Sequence, residues 1–394
     1  MTRVATSWLV YRLTNSPFLL GLTSFASQIP ILFLAPFAGV WVDRWDRHRT
    51  LVITQILSML QSFALAWLAL ARVVTVWEIL VLMLVQGIIN SFDMPARQSF
   101  VVQMIEQRED LGNAIALNSS MVNGARLIGP AVAGMLIAAV GEGYCFLLDG
   151  FSYLAVIASL LAMRITQAPP HRERRELRTE ISEGWRYVTE SAPIGSVLLF
   201  LTLVSLVGMP YTVLMPIFAT RVLHGGPHTL GFLMAAAGLG ALAAAVSLAM
   251  RRSVLGLGRV IVWSSSLFGL ALIGFGLSHA LPLSLLAVAA AGFGMMRHMA
   301  SSNTILQTIV EEDKRGRVMA YYSMAFQGLA PFGSLAAGAI ASRVGAPRTI
   351  MSGGVLCLAG AACFAARLPA IRRVMRPLYR ELGILPAVPP PLQE

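Results

Sequence analysis

Apolar residues gather in blocks of about 17–20, for example 73–89, 144–163 and 232–250, and short turns rich in Gly, Pro, Asn and charge separate them. Blocks of that length match a helix crossing a hydrocarbon core of about 30 Å. A soluble helical protein would instead carry polar stripes at helical spacing. The pattern predicts a partial first segment at 1–13. Full spans follow at 17–40, 49–70, 75–97, 113–139, 144–164, 193–220, 229–250, 258–278, 282–309, 317–341 and 345–366. Thr14-Asn15-Ser16-Pro17, Gly141-Glu142-Gly143 and Gly225-Gly226-Pro227 have the residues of turns.

Composition sharpens this into a membrane protein. Of 394 residues, 56% are hydrophobic and 12% charged, about half the charge of an ordinary soluble domain. The net charge of +11 does not point to nucleic acid, because the cations sit in short clusters between apolar blocks and not on one continuous face. Cys145, Cys357 and Cys363 lie in apolar segments without metal-ligand spacing. No phosphate loop, metal cluster or nucleophile constellation appears, so no enzyme and no cofactor is expected.

Loop charge predicts the sidedness. About 22 of the 30 basic residues lie in alternate loops and the tail, including Arg44, Arg47, Arg49, the stretch 164–186, Arg251, Arg259, Lys314, Arg315 and Arg317. About five lie in the opposite loops. Such a bias places the richer side and the C-terminus in the cytoplasm. The predicted units are a helix bundle over 1–164, a cytoplasmic linker over 165–192, a second bundle over 193–366 and a tail over 367–394. Within the linker, Leu177, Ile181, Trp185 and Val188 form an apolar stripe, as in a helix lying on a membrane surface; a solvated linker is the alternative. The tail is basic and then Pro-rich, a composition expected to be disordered.

The chain also repeats itself. A shift of 204 residues pairs Gln103 with Gln307, Ser119 with Ser323, Gly124 with Gly328, Gly129 with Gly333, Gly134 with Gly338 and Gly141 with Gly345. Small residues at such spacing let helix backbones approach closely, and two repeated halves around a central path are a common transporter design. Near the N-terminus, the stretch 11–17 resembles 220–227 at an offset of about 209–210. By that repeat the first helix reads as truncated to about half, with a misassigned start as the favoured explanation.

Two motifs carry a family resemblance. Gly39-Val40-Trp41-Val42-Asp43-Arg44-Trp45-Asp46-Arg47-His48-Arg49 resembles the loop between the second and third helices of the major facilitator superfamily. There the resemblance implies that Asp43, Arg44, Arg47 and Arg49 hold the cytoplasmic side closed; Asp46 stands where that family commonly has Gly. The second half, over 247–259, has basic residues but no acid. Arg126, Gly129, Pro130 and Gly134 in the fifth span resemble the Gly-Pro motif of exporters in the same superfamily. Together with 91–98, they make the chain similar to the enterobactin-exporter-like and multidrug efflux branch. The implied fold is all-α and polytopic, with two six-helix halves working by alternating access.

Ionisable and polar groups at membrane depth are costly and usually functional. Arg126 and Arg297 read as cavity cations favouring an anionic or phenolic substrate, although Arg126 could instead make a structural pair. Gln28, Gln86, Asn90, Asn303 and Gln307 are candidate substrate contacts. Asp93 and Asp149 are candidate coupling acids; the spacing of Asp93 and Arg97 puts them on one helix face as an ion pair, and a helix-packing role is the alternative for Asp149. Met83 stands where proton-coupled drug exporters of this superfamily carry Arg. The reading is a proton-coupled secondary exporter of small organic molecules, acting as a monomer in the plasma membrane with no nucleic-acid partner. The alternatives are an importer or lipid flippase on the same fold, or a non-transporting relic or sensor.

Overall fold

The computed structural model describes residues 1–44, 46–103, 111–163, 185–251 and 253–381; some side chains within these, among them Asp43, Arg44 and Arg126, lie outside the description. We label the helices of the first half α1 (Thr2–Thr14), α2 (Pro17–Arg44), α3 (Arg47–Leu70), α4 (Val76–Gln103), α5 (Leu111–Val140) and α6 (Glu142–Ala162). Those of the second half are α7 (Ala192–Val222), α8 (Pro227–Ala249), α9 (Leu257–Leu277), α10 (Leu281–Ile309), α11 and α12 (Ala346–Glu381). α7 ends in a π turn at Phe218–Val222. α11 consists of Glu312–Ser323, a π turn at Met324–Gly328, and Ala330–Val344. Ten spans among the described residues are long and apolar enough to cross a membrane.

Packing obeys the sequence repeat. In the first half α2 packs on α4, α3 on α4 and α6, and α1 on α6. In the second half α8 packs on α10, α9 on α10 and α12, and α7 on α12. The halves join mainly through two crossings, α2 with α11 and α5 with α8, and these exchange places under the same two-fold relation. The turns repeat as well. Asn15 (φ 49°) and His224 (φ 50°) both reverse the chain in the left-handed region just before a Pro-initiated helix. Gly141 (φ 88°) and Gly345 (φ 89°) do so between α5 and α6 and between α11 and α12, a conformation glycine adopts without Cβ strain.

One boundary is only partly described and another differs from expectation. Most of the linker, 164–184, lies outside the described residues, but 185–190 is helical. Its Trp185 ring lies 6.0 Å from Tyr321, and Lys314 Nζ lies 4.8 Å over the Tyr187 ring. The linker end therefore docks on the first part of α11. α12 runs past 366 to Glu381, into the stretch expected to be a disordered tail. The reason is periodic: Leu368, Ile371, Met375 and Tyr379 are buried at helical spacing, while Arg373, Arg376 and Arg380 are exposed.

Candidate transport and coupling sites

The closest meeting of the halves is built from small residues one turn apart. Cβ atoms built on Gly134 and Gly231 would each lie within 2.9 Å of the other residue's Cα. They would also meet the carbonyls of Pro227 and Pro130, at 2.7 and 2.8 Å. Gly21 and Gly338 repeat this on the other crossing, facing the carbonyls of Ser334 and Pro17 at 2.5 and 2.7 Å. Each helix thus supplies a Pro or Ser four residues before its Gly, and only glycine lets the backbones come this close. Both crossings lie toward the end opposite the loops carrying Arg47–Arg49, Arg251–Arg259 and Lys314–Arg317. At that end Arg221 also bridges the halves, its Nη2 donating to the carbonyl of Asn15 at 3.3 Å. Of the exporter-type motif, Pro130 and Gly134 meet α8, whereas a Cβ on Gly129 would meet nothing within 4 Å. The Arg126 side chain lies outside the described residues.

The loop motif is partly described. Gly39, Asp43 and Arg44 lie in the last turns of α2, and the side chains of Asp43 and Arg44 are outside the description. Asp46 caps α3, its Oδ1 accepting from the Arg49 N–H at 3.2 Å. An N-cap carboxylate satisfies a donor that the helix start would leave free, which accounts for Asp where glycine is common. His48 Nε2 lies 2.7 Å from the Leu160 carbonyl and ties the loop to α6.

The candidate coupling acids lie in one polar seam between α3, α4 and α6. Asp93 is buried and receives Thr54 Oγ1 at 2.9 Å and Gln55 Nε2 at 2.7 Å. Arg97 closes the expected i, i+4 pair through Nε at 3.2 Å and Nη2 at 2.8 Å. Asp93 thus accepts four hydrogen bonds, two of them from the Arg97 guanidinium. Deeper in the bundle, Asp149 accepts from Ser62 Oγ at 2.9 Å. Between the two acids, Tyr153 bonds Ser58, and Gln86 Nε2 donates to Ser58 Oγ at 3.4 Å and to Asn90 Oδ1 at 3.2 Å. Gln86 and Asn90, expected in a substrate cavity, therefore face α3 and join this seam. Thr54, Gln55, Ser58, Gln61 and Ser62 are all buried. Their three- and four-residue spacing places them on one face of an otherwise apolar span.

The remaining candidates are dispersed. Gln28 shares a face of α2 with Phe25 and Leu32, which meet Phe332 and Gly328 of α11. On α10, Gln307 Nε2 donates to Asn303 Oδ1 at 2.6 Å, Asn303 bonds Tyr322, and the Tyr322 hydroxyl donates to the Met299 carbonyl. Gln28 thus belongs to the α2–α11 crossing where the halves adjoin, and the Asn303–Gln307–Tyr322 group to the neighbouring α10–α11 contact. Arg297 does not join them. Its Nη1 donates to Ser247 Oγ of α8 at 2.9 Å, its guanidinium lies 5.5 Å over Phe293, and it lines a groove with α9. Six residues along a helix turn a side chain about 240° from Asn303, so the expectation of a shared cavity face yields to helix geometry.

Charge is distributed unequally. Between 193 and 380 the sequence contains only three acids, Glu311, Glu312 and Asp313, all at the start of α11. No carboxylate lies within α7–α10, so the seam acids belong to the first half alone. Among the described residues, no group of three or more His, Cys, Asp or Glu is arranged to hold a metal ion.

A family model described as transmembrane secretion effector matches residues 1–380. The staphyloferrin A transporter of Staphylococcus aureus (strain NCTC 8325 / PS 47) is 26% identical over 363 residues, 90% of this chain and 89% of that one. The multidrug efflux pump Tap of Mycobacterium bovis (strain BCG / Pasteur 1173P2) is 27% identical over 385 residues, 94% of this chain and 90% of its own. Among solved structures, the nucleoside transporter NupG superposes with a TM-score of 0.71 at 12% identity, covering 93% of this chain and 94% of that one. The inward open conformation of the xylose transporter XylE from E. coli gives 0.69 at 14% identity, with 92% and 91% covered. At these identities the structural likeness speaks for the fold alone.

Proposed function

The chain belongs to the transmembrane secretion effectors of the major facilitator superfamily, multi-pass membrane transporters and not enzymes, and on that premise we propose that it is a proton-coupled exporter of small organic molecules. The observation that carries alternating access is the paired glycine closure, Gly134 with Gly231 and Gly21 with Gly338. Two symmetric, side-chain-free contacts near one end let the halves seal there and part by rocking, without breaking a large interlocked core. The loop arginines assign the opposite end, with the C-terminus, to the cytoplasm. Closure at the outer end then leaves the binding faces of α2, α10 and α11 to load from inside, the direction an exporter needs. Gly39, Asp43, Arg44, Arg47 and Arg49 form the cytoplasmic closing loop in this scheme.

Coupling belongs to the first half. Asp149 takes up and releases the proton, with Tyr153, Ser58 and Gln86 as hydrogen-bonding neighbours along the seam. Asp93, held by Arg97, Thr54 and Gln55, acts as a fixed charge that orders the cytoplasmic end of α4. Gln28, Asn303 and Gln307 supply hydrogen bonds to substrate, and Arg126 on α5 offers a cation. The relatives suggest the substrate class: a polar metal-chelating metabolite or an amphiphilic drug, carried by a single chain in the plasma membrane.

The test is transport by the purified full chain in proteoliposomes, with siderophore-like and drug-like substrates presented under imposed pH gradients. Substrate accumulation against its gradient, driven by a counter-directed proton gradient and abolished when that gradient collapses, is expected. Accumulation that ignores the pH gradient would overturn the coupling; proton-driven movement toward the cytoplasm would overturn export.

A further inference from the structure

On the flank of the second half, away from the Asn303 face, a groove of about 660 Å³ is lined by the loop after α8, by α9 and by α10. Three cations line it: Arg251 in the loop after α8, Arg259 in the first turn of α9 and Arg297 further along on α10. Among the described residues none of the three makes an ion pair, and no acid exists on α7–α10 to provide one. Their placement is fixed nonetheless. Arg251 donates to the carbonyls of Ser253 and Leu255. Arg297 is held by Ser247 and Phe293, while its Nε is buried without a hydrogen-bond partner. A buried guanidinium N–H left unpaired, in a groove lined by two further cations, is a costly arrangement unless an anion completes it.

The rest of the groove is apolar and open to the side. Trp263, Leu267 and Leu270 line it and remain 77%, 38% and 58% exposed. At 1.5 Å per residue, Arg259 to Leu270 spans about 16 Å along α9, the thickness of one hydrocarbon leaflet. A cationic head site at the cytoplasmic level, continued by an apolar channel one leaflet deep, has the shape and charge of one phospholipid.

We propose that this groove binds an anionic phospholipid of the phosphatidylglycerol type. Its phosphate is clamped by Arg251, Arg259 and Arg297, and one acyl chain lies along Trp263, Leu267 and Leu270. Basic pockets between membrane helices on the cytoplasmic side recognise such headgroups. The inner-leaflet placement rests on the sidedness proposed above, whereas binding itself does not depend on transport. The lipid would pin α8 and α9 to α10 and leave the central faces free.

The full-length protein, purified in neutral detergent, is titrated with dioleoylphosphatidylglycerol, dioleoylphosphatidylcholine or inorganic phosphate. Bound lipid is counted by native mass spectrometry, and stability is followed by thermal melting. Phosphatidylglycerol is expected to stay bound and raise the melting temperature, while phosphatidylcholine and phosphate do neither. The combined substitution Arg251→Gln, Arg259→Gln, Arg297→Gln should weaken phosphatidylglycerol binding on the order of a hundredfold. Arg373→Gln, on an exposed face of α12 outside the groove, should leave it unchanged. Equal binding of both lipids, an equal effect of phosphate, or unaltered affinity in the triple variant would overturn the proposal. Should the triple variant not fold, a photoactivatable phosphatidylglycerol on the unaltered protein decides: labelling of α9 and α10 along the groove supports the site, and labelling elsewhere refutes it.

Discussion

Gly134 of α5 and Gly231 of α8 approach so closely that a Cβ built on either would stand 2.8–2.9 Å from the Cα of the other. Their counterparts, Gly21 and Gly338, do the same at 3.1–3.2 Å. A larger side chain there must push backbone, because the nearest atoms are Cα and carbonyl oxygen. Gly134→Leu and Gly231→Leu should each cost about 1–3 kcal/mol at the closure and shift the halves toward separation at that end. Transport should fall, and cysteines introduced near the ends of α5 and α8 beside this crossing should gain accessibility to water-soluble reagents. Unchanged labelling and transport would show that the crossing does not close the path.

At Asp93 the prediction concerns stability. Asp93→Asn keeps the shape but sets an amide N–H₂ against the donors of Thr54, Gln55 and Arg97. Leaving buried donors without an acceptor costs about 1–3 kcal/mol. Arg97→Gln should cost less, because the Arg97 side chain is 59% exposed and its loss leaves Asp93 with Thr54 and Gln55. Melting temperatures of the two variants in detergent check the order, and the reverse order would contradict the network.

If Asp149 carries the proton as proposed, its substitution should separate coupling from movement. Asp149→Asn should keep folding and downhill exchange of substrate, since an amide still accepts from Ser62. Accumulation driven by a pH gradient should disappear. Proteoliposomes assayed with and without the gradient distinguish these, and full proton-driven accumulation by the variant would exclude Asp149 as the carrier.

Substrate contact and charge selection should be separable on α10. Asn303→Ala and Gln307→Ala should raise KM with kcat little changed, the mark of lost ground-state binding. Arg297→Gln should leave the ratio of anionic to cationic substrate transport where it was, because its guanidinium turns to α8 and Phe293. A collapse of that ratio would return Arg297 to the transport path.

How much of this was legible in the sequence depends on the kind of order involved. The spans and the repeat are written as block length and glycine register, so Gly134 and Gly338 were paired before any contact was visible. The turn at Asn15 and its copy at His224 were legible for the same reason. The α3 seam was not, since its apolar content satisfies a span while Thr54, Gln55, Ser58 and Ser62 each look incidental. Only their common face, set against Asp93 and Asp149 on other helices, gives them meaning. The direction of Arg297 was hidden by treating depth in the membrane as position in a cavity, although the angular distance from Asn303 was already fixed by counting residues. The length of α12 was missed because charge was read as a tail, while Leu368, Ile371, Met375 and Tyr379 kept helical time beneath it.

The π turn at Met324–Gly328 divides α11 between two neighbourhoods. Below it, Tyr321 meets Trp185 of the linker end and Tyr322 meets α10; above it, Gly338 sits against Gly21 of the opposite half. A π turn holds one residue more than the helix around it and loosens the regular ladder at that point. The two arms of α11 are therefore not obliged to travel as one rod. In the alternating-access scheme proposed above, one arm would stay anchored to the opposite half while the other swings with its own, so a single helix would serve as both fulcrum and lever.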